Sequence, residues 1–290
     1  MIRIGPAGWS YKDWRGVVYP NDRPRGFDEL AYISGFFDTV EINSSFYGPP
    51  RPTAAKKWLQ SISANDRFRF TAKLFHSFTH ERKPAPLDEK EFKEGVAALA
   101  EGNRLGALLA QFPWSFKNDG DNRRYLVDLR RKFAEYPLVL EVRHSSWMEE
   151  DVLDLLVELG VAICNIDQPL FKRSVRPSAL VTAPVGYVRL HGRNYKSWFS
   201  KTADVRERYD HLYSIDELEP WVARSKEIAE QAEDTYVITN NHYLGKAVVN
   251  AVEISTILRG KPQAAPEELI EHYPELREFT GGPNGQLSLS

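Results

Sequence analysis

The chain has 290 residues, a formal net charge of -2, 42% hydrophobic and 27% charged residues. These proportions fit a soluble globule with a sizeable core and exclude the apolar-poor, highly charged regime of disordered chains. The near-neutral balance supplies no global basic field for duplex DNA, and no apolar run is long enough to span a bilayer.

Ile2-Arg-Ile reads as a first strand, and no cleavable leader is expected. Its one cysteine, Cys164, falls inside a predicted strand and reads as a buried, inert thiol. A reducing, cytoplasmic compartment is the expectation. Strand patterns occur near residues 2–8, 38–44, 68–74, 106–112, 138–144, 161–167, 186–191 and 235–240. Helical patterns follow near 27–36, 53–63, 88–102, 121–135, 149–159, 216–232 and 244–258. Phe92, Val96 and Leu99 show the helical apolar spacing, as do Val152, Leu155, Leu156 and Leu159. Gly160 sits where a left-handed cap would end a helix.

Residues 168–185 carry Pro169, Pro177 and Pro184, which predicts an irregular sixth crossover. Residues 193–215 form a long connection rich in aromatic and charged side chains, as a lid or binding loop would be. No composition break divides the chain. The expectation is one TIM-like (β/α)8 barrel domain over residues 1–280, with a disordered tail at 281–290. An open doubly wound sheet is disfavoured, because Gly5-Pro-Ala-Gly8 lacks the third glycine of a dinucleotide loop and runs into aromatic residues.

The strands share one pattern: they begin apolar and finish polar. Thr39-Val-Glu-Ile-Asn-Ser44, Leu138-Val-Leu-Glu-Val-Arg143 and Tyr187-Val-Arg-Leu-His-Gly192 are examples. Strand side chains alternate faces, so Glu41 and Asn43 share a face, as do Glu141 and Arg143, Asn165 and Asp167, and Arg189 and His191. Barrel enzymes place their chemistry at this carboxyl end.

Several ordered blocks resemble the domain of unknown function 72 family, the YecE-like proteins. They are Gly8-Trp-Ser-Tyr-Lys-Asp-Trp-Arg-Gly16, Val40-Glu-Ile-Asn-Ser-Ser-Phe-Tyr47, Phe70-Thr-Ala-Lys73, Gln111-Phe-Pro113, Glu141-Val-Arg-His-Ser-Ser-Trp147, Val188-Arg-Leu-His-Gly-Arg193 and Asn240-Asn241. The resemblance implies a TIM-barrel-like fold. It brings no firmly assigned activity.

The polar strand ends nominate a site. His191 with Glu41 or Asp167 is the candidate general acid and base pair. Asn43, Lys73, Gln111, Glu141, Arg143, Arg189, Arg193, Asn241, Trp9 and Trp198 are the candidate binding residues. Arginine forks match phosphate and carboxylate oxygens, and aromatic rims suit sugar rings and bases. The preferred reading is a polar, anionic or phosphorylated small molecule. A salt-bridge network closing the barrel top is the bland alternative.

Three further readings stay open. Glu41, Glu141, Asp167 and His191 could ligate a hard metal, as in phosphodiesterases and isomerases of the endonuclease IV and xylose isomerase kinds, although basic neighbours compete with a cation. Lys73 could form a Schiff base, although pairing with Glu41 on the preceding strand is the better expectation. A non-enzymatic binding module would present Trp9, Trp14 and Trp198 to a partner. Nucleic acid is not favoured. The sequence assigns no cofactor and no oligomeric state.

Overall fold

The structure is a computed structural model that describes residues 1–195 and 208–281. Eight parallel strands form a single sheet in the order β1-β8-β7-β6-β5-β4-β3-β2. The strands are β1 (Ile2–Pro6), β2 (Thr39–Ile42), β3 (Arg69–Lys73), β4 (Leu105–Gln111), β5 (Leu138–Glu141), β6 (Val161–Asp167), β7 (Val185–Leu190) and β8 (Asp234–Thr239). The sheet curls until its edges meet. Between β1 and β2 the seam is one bridge, Ala7 to Glu41, where the Gly8 amide donates to the Glu41 carbonyl at 2.8 Å. The result is a nearly closed TIM-like barrel.

Helices α1 (Glu29–Ser34), α2 (Pro52–Ser61), α3 (Asp88–Glu101), α4 (Gly120–Lys132), α5 (Glu150–Leu159), α6 (Ile215–Gln231), α7 (Lys246–Arg259) and α8 (Glu267–His272) lie along the chain between and after the strands. Their ends follow local chemistry. Asp28 accepts the Leu30 and Ala31 amides at 3.0 Å and starts α1, and Asp119 accepts the Asn122 amide at 2.8 Å and starts α4. Ser214 and Glu217 form a capping box on α6. Gly160 ends α5 at φ 61°, in the left-handed region where a side chain would be strained. Residues 168–184 run from β6 to β7 without a helix, the irregular crossover that the prolines predict. Among the described residues no helix is long and apolar enough to cross a membrane.

The core has two parts. Outward-facing strand residues such as Val40, Ile42, Leu140, Val188 and Leu190 are fully buried under the helices. The barrel interior is instead polar at its carboxyl end, where Glu41, Glu141 and Arg189 are all completely buried. The registers bring the strand ends level: Gln111 stands beside Glu141, Asp167 beside Leu190, and Leu190 and Pro6 beside Thr239. Polar tips therefore meet in one mouth.

The seam sets a steric demand at Gly5, where an added Cβ would overlap the Thr39 carbonyl oxygen. That oxygen belongs to the neighbouring strand's backbone and cannot swing away. Gly5→Ala is expected to lower unfolding stability by about 3 kcal/mol in urea denaturation. Gly48→Ala, where a Cβ meets nothing within 4 Å, serves as the control and should change little. Equal effects at the two positions would contradict a tightly closed seam.

Candidate functional site

Arg189 spans the barrel. Its Nη2 donates to Glu41 Oε1 and its Nη1 to Glu141 Oε2, both at 2.6 Å. Strand β7 is not a neighbour of β2 or β5, so these bonds cross the interior. Tyr187, one turn of the pleat below, donates its hydroxyl to Glu41 Oε2 at 2.9 Å and meets Thr71 Oγ1 at 2.8 Å. Gln111 accepts from Arg189 at 3.4 Å. The two glutamates hold the Arg189 guanidinium charged against the cost of burial. Cys164 faces this network, and burial beside Glu141 pushes its thiol up, which leaves it inert.

A second tier sits on the first. Arg143 donates to Glu141 Oε1 at 2.9 Å and to Gln168 Oε1 at 3.1 Å. His191 Nε2 lies 3.0 Å from the same Glu141 oxygen, and its Nδ1 lies 2.9 Å from Asn240 Nδ2. These contacts fit one neutral tautomer, with Nε2–H donating to Glu141 and Nδ1 accepting from the Asn240 amide. Burial is the main reason that the His191 pKa is pushed down to about 3, and Arg143 and Arg189 add to it. The surrounding cations hold Glu141 well below the usual carboxylate range.

Other nominated residues go elsewhere. Asp167 lies on the outer face of β6. There it takes a two-pronged contact from Arg193 at 2.8 and 2.9 Å, the Tyr213 hydroxyl at 2.6 Å and the Trp221 indole at 3.1 Å. It is thus separated from Glu41 and His191, and Arg193 is tied to it and to Glu217. Asn165 shares that outer face, bonded to Leu180 and Ser178 of the irregular crossover. Asn241 turns back to His211 and Asn250, so the mouth receives Asn240 instead. Trp14 and Trp147 are fully buried loop anchors, whose indoles donate to the His242 and Phe116 carbonyls at 2.8 Å. Trp198 falls outside the described residues, as do Lys196, Phe199 and Lys201.

Above the network lies a pocket of about 350 Å³, lined by Trp9, Tyr11, Asn43, Lys73, Tyr209 and Asn240, with Gly8, Ser10, Ser44, Tyr47 and His242 completing the wall. Its size suits a small molecule. Tyr11 stacks on His242 at 4.2 Å and donates its hydroxyl to the Ala7 carbonyl, while Asn43 donates to the Tyr11 oxygen at 3.3 Å. Trp9 packs edge-on against Trp58 at 5.6 Å. Sequence reasoning nominated Trp9, Asn43 and Lys73 in this wall. It missed Asn240, which the alternation after Tyr236 and Ile238 would have found, and His242, while Tyr209 comes from the aromatic-rich 193–215 connection singled out in the sequence.

Lys73 differs from the expectation. Among the described residues no carboxylate lies within 4.0 Å of its ammonium, because Glu41 is taken by Arg189 and Tyr187. Its Nζ stands 4.3 Å from the Phe46 ring centroid, a cation–π contact, and the side chain is half-buried in the pocket wall. Burial, with Arg189 and Arg143 nearby, lowers its pKa to about 8 against the opposing pull of Glu41 and Glu141.

The donors nominated for a metal do not assemble. Asp167 is on the outer face and both glutamates hold arginine. Among the described residues no group of three or more His, Cys, Asp and Glu side chains is placed to hold an ion.

These features define a (β/α)8 barrel protein with a charge-compensated interior and a pocket at the carboxyl ends of its strands. The model of the Protein of unknown function DUF72 family matches residues 3–273, and the chain belongs to that family. It is similar to the UPF0759 protein YecE of Escherichia coli, with 25% identity over 197 residues. That match covers 66% of this chain and 63% of the relative's length. Among solved structures, a DUF72 family protein from Thermotoga maritima is 34% identical, with a TM-score of 0.80 over 89% of this chain and 99% of that one. A DUF72 family protein from Enterococcus faecalis is 25% identical, with a TM-score of 0.77 over 89% and 96%.

The buried neutral His191 predicts a pH dependence. Its folded pKa, about 3, lies below the ordinary value of 6.5, so between these limits the unfolded chain binds the extra proton. This group therefore erodes stability as pH falls from about 6.5 towards 3. Urea unfolding at pH 6.0, 5.5 and 5.0 should show wild-type stability falling about 1.4 kcal/mol per pH unit faster than that of His191→Gln. Parallel slopes would mean that His191 is charged in the folded protein.

Proposed function

We propose that the carboxyl-end pocket binds a small anionic polar molecule, with Lys73 as its charge partner. The observation that carries this reading is the charge balance. Glu41 and Glu141 are matched by Arg189 and Arg143, His191 is neutral, and among the described residues the Lys73 ammonium has no carboxylate contact in its half-buried wall. A cation held partly out of bulk water against an aromatic face gains from an incoming phosphate or carboxylate.

The rest of the wall is suited to such a guest. Asn43 and Asn240 offer amide groups, Ser10 and Ser44 offer small polar positions, and Trp9, Tyr11, Tyr47 and Tyr209 supply rings for the guest's less polar body. In this reading Lys73, Asn43 and Asn240 touch the ligand. Glu41, Arg189 and His191 lie beneath them and hold them in place: Asn240 bonds directly to His191, which bonds to Glu141. Arg193, Asp167 and Asn241 brace the outer wall.

Isothermal titration against inorganic phosphate, simple phosphate monoesters and short carboxylates tests the reading. At least one of these should bind, and Lys73→Ala should weaken it roughly ten- to a hundredfold, the range for a charged hydrogen bond. A panel that produces no binding, or binding that Lys73→Ala leaves unchanged, would overturn it.

A further inference from the structure

We infer that Lys73 is a covalent nucleophile that forms an imine with a small aldehyde or ketone carrying a carboxylate or phosphate, an inference that rests on the anion-binding reading of the same pocket. The geometry supports it in three ways. Lys73 ends β3 at the carboxyl mouth of the barrel, so its position is fixed by the sheet. Its side chain lines a cavity with room for a small guest. Finally, among the described residues no carboxylate holds its nitrogen, whereas the neighbouring arginines at the strand ends are engaged: Arg189 by Glu41 and Glu141, Arg143 by Glu141, and Arg193 by Asp167. A lysine kept for stability would be expected to share such a partner.

The charged groups around Lys73 come from several elements. Glu41 faces it from β2, Glu141 from β5, Arg143 from the segment just after β5, and Arg189 from β7. His80, on the helical turn after β3, packs edge-on against the same Phe46 ring at 4.8 Å. Its pKa is pushed down to about 4 by burial, Lys73 and Arg143, so it adds no charge at neutral pH. The cations and burial together favour the free amine of Lys73, as in other lysines activated by a neighbouring positive charge. With a pKa near 8, the free-amine fraction at pH 7 is about two orders of magnitude above that of an ordinary lysine.

The step balances without an outside reagent. The Lys73 ammonium loses a proton, and the nitrogen lone pair attacks the carbonyl carbon. The C=O π pair moves to oxygen, giving a carbinolamine. The C–O bond then breaks as a C=N bond forms. Two of the three ammonium hydrogens leave with the oxygen as water, and the third stays on the nitrogen of a protonated imine. The product keeps the single positive charge of Lys73, so the guest's anionic group retains its partner throughout. The pocket is open to solvent, which carries the protons.

Reductive trapping tests the inference on the full chain. The protein is incubated with glyoxylate or pyruvate and cyanoborohydride, and the modified lysines are located by peptide mass mapping. Lys73 should be modified at least about tenfold faster than the other lysine peptides, with a rate that rises with pH through a midpoint near 8. Lys73→Arg should lose that adduct. Mapping of the wild-type chain alone decides the point if the variant does not fold. Uniform modification of all lysines, with the phosphate and carboxylate panel still binding, would overturn the imine and leave the anion site standing. A Lys73 adduct without binding by any panel member would overturn the anion reading and keep the nucleophile. Neither adduct nor binding would overturn both.

Discussion

The barrel interior is organised around one buried cation. Arg189 reaches from β7 to Glu41 on β2 and Glu141 on β5, and all three side chains are excluded from water. Removing one member of such a set leaves an uncompensated buried charge, at a cost of about 3–5 kcal/mol. The set therefore specifies which strands face each other across the barrel. It also fixes what stands above it. Arg143 and His191 share a Glu141 oxygen, and Asn240 is held by His191, so the floor of the mouth is a chain of hydrogen bonds rooted in that single guanidinium.

Occupation of both glutamates has a consequence for Lys73. Glu41 is the nearest carboxylate in the sequence pattern, yet its two oxygens are bonded to Arg189 and Tyr187. The positive charge of Lys73 is left facing a pocket and an aromatic ring. The internal network thus draws on the same carboxylates that Lys73 would otherwise have used. The network neutralises itself, and among the described residues the charge left at its edge is that of Lys73.

The fold was legible because its signals are local. Alternation with polar strand ends, the left-handed Gly160 and the prolines of 168–185 each act within a few residues. The same period of two brought Glu41, Lys73, Glu141, Arg143, Arg189 and His191 to one interior. It failed on β6, where Asn165 and Asp167 point outward. That strand lacks a regular crossover helix, so its outer face is covered by the backbone at Leu180, Arg193, Tyr213 and Trp221, and it is polar for that reason. Adjacency in sequence misassigned the partner of Lys73 as well. Glu41 and Lys73 sit on neighbouring strands, but the bond that forms crosses the barrel, and cross-barrel reach leaves no trace in a single sequence. Asn241 was nominated over Asn240 because paired residues hide which of the two continues the inward face.

The ionisation of Lys73 can be followed directly. In protein carrying carbon-13-labelled lysine, the Lys73 ε-carbon resonance, assigned with Lys73→Arg, would be titrated against pH. A lone ammonium beside Arg189 and Arg143 should titrate with a midpoint near 8. A midpoint at or above the ordinary lysine value of about 10.4 would mean that a carboxylate holds this nitrogen after all, and the pocket would lose its unmatched charge.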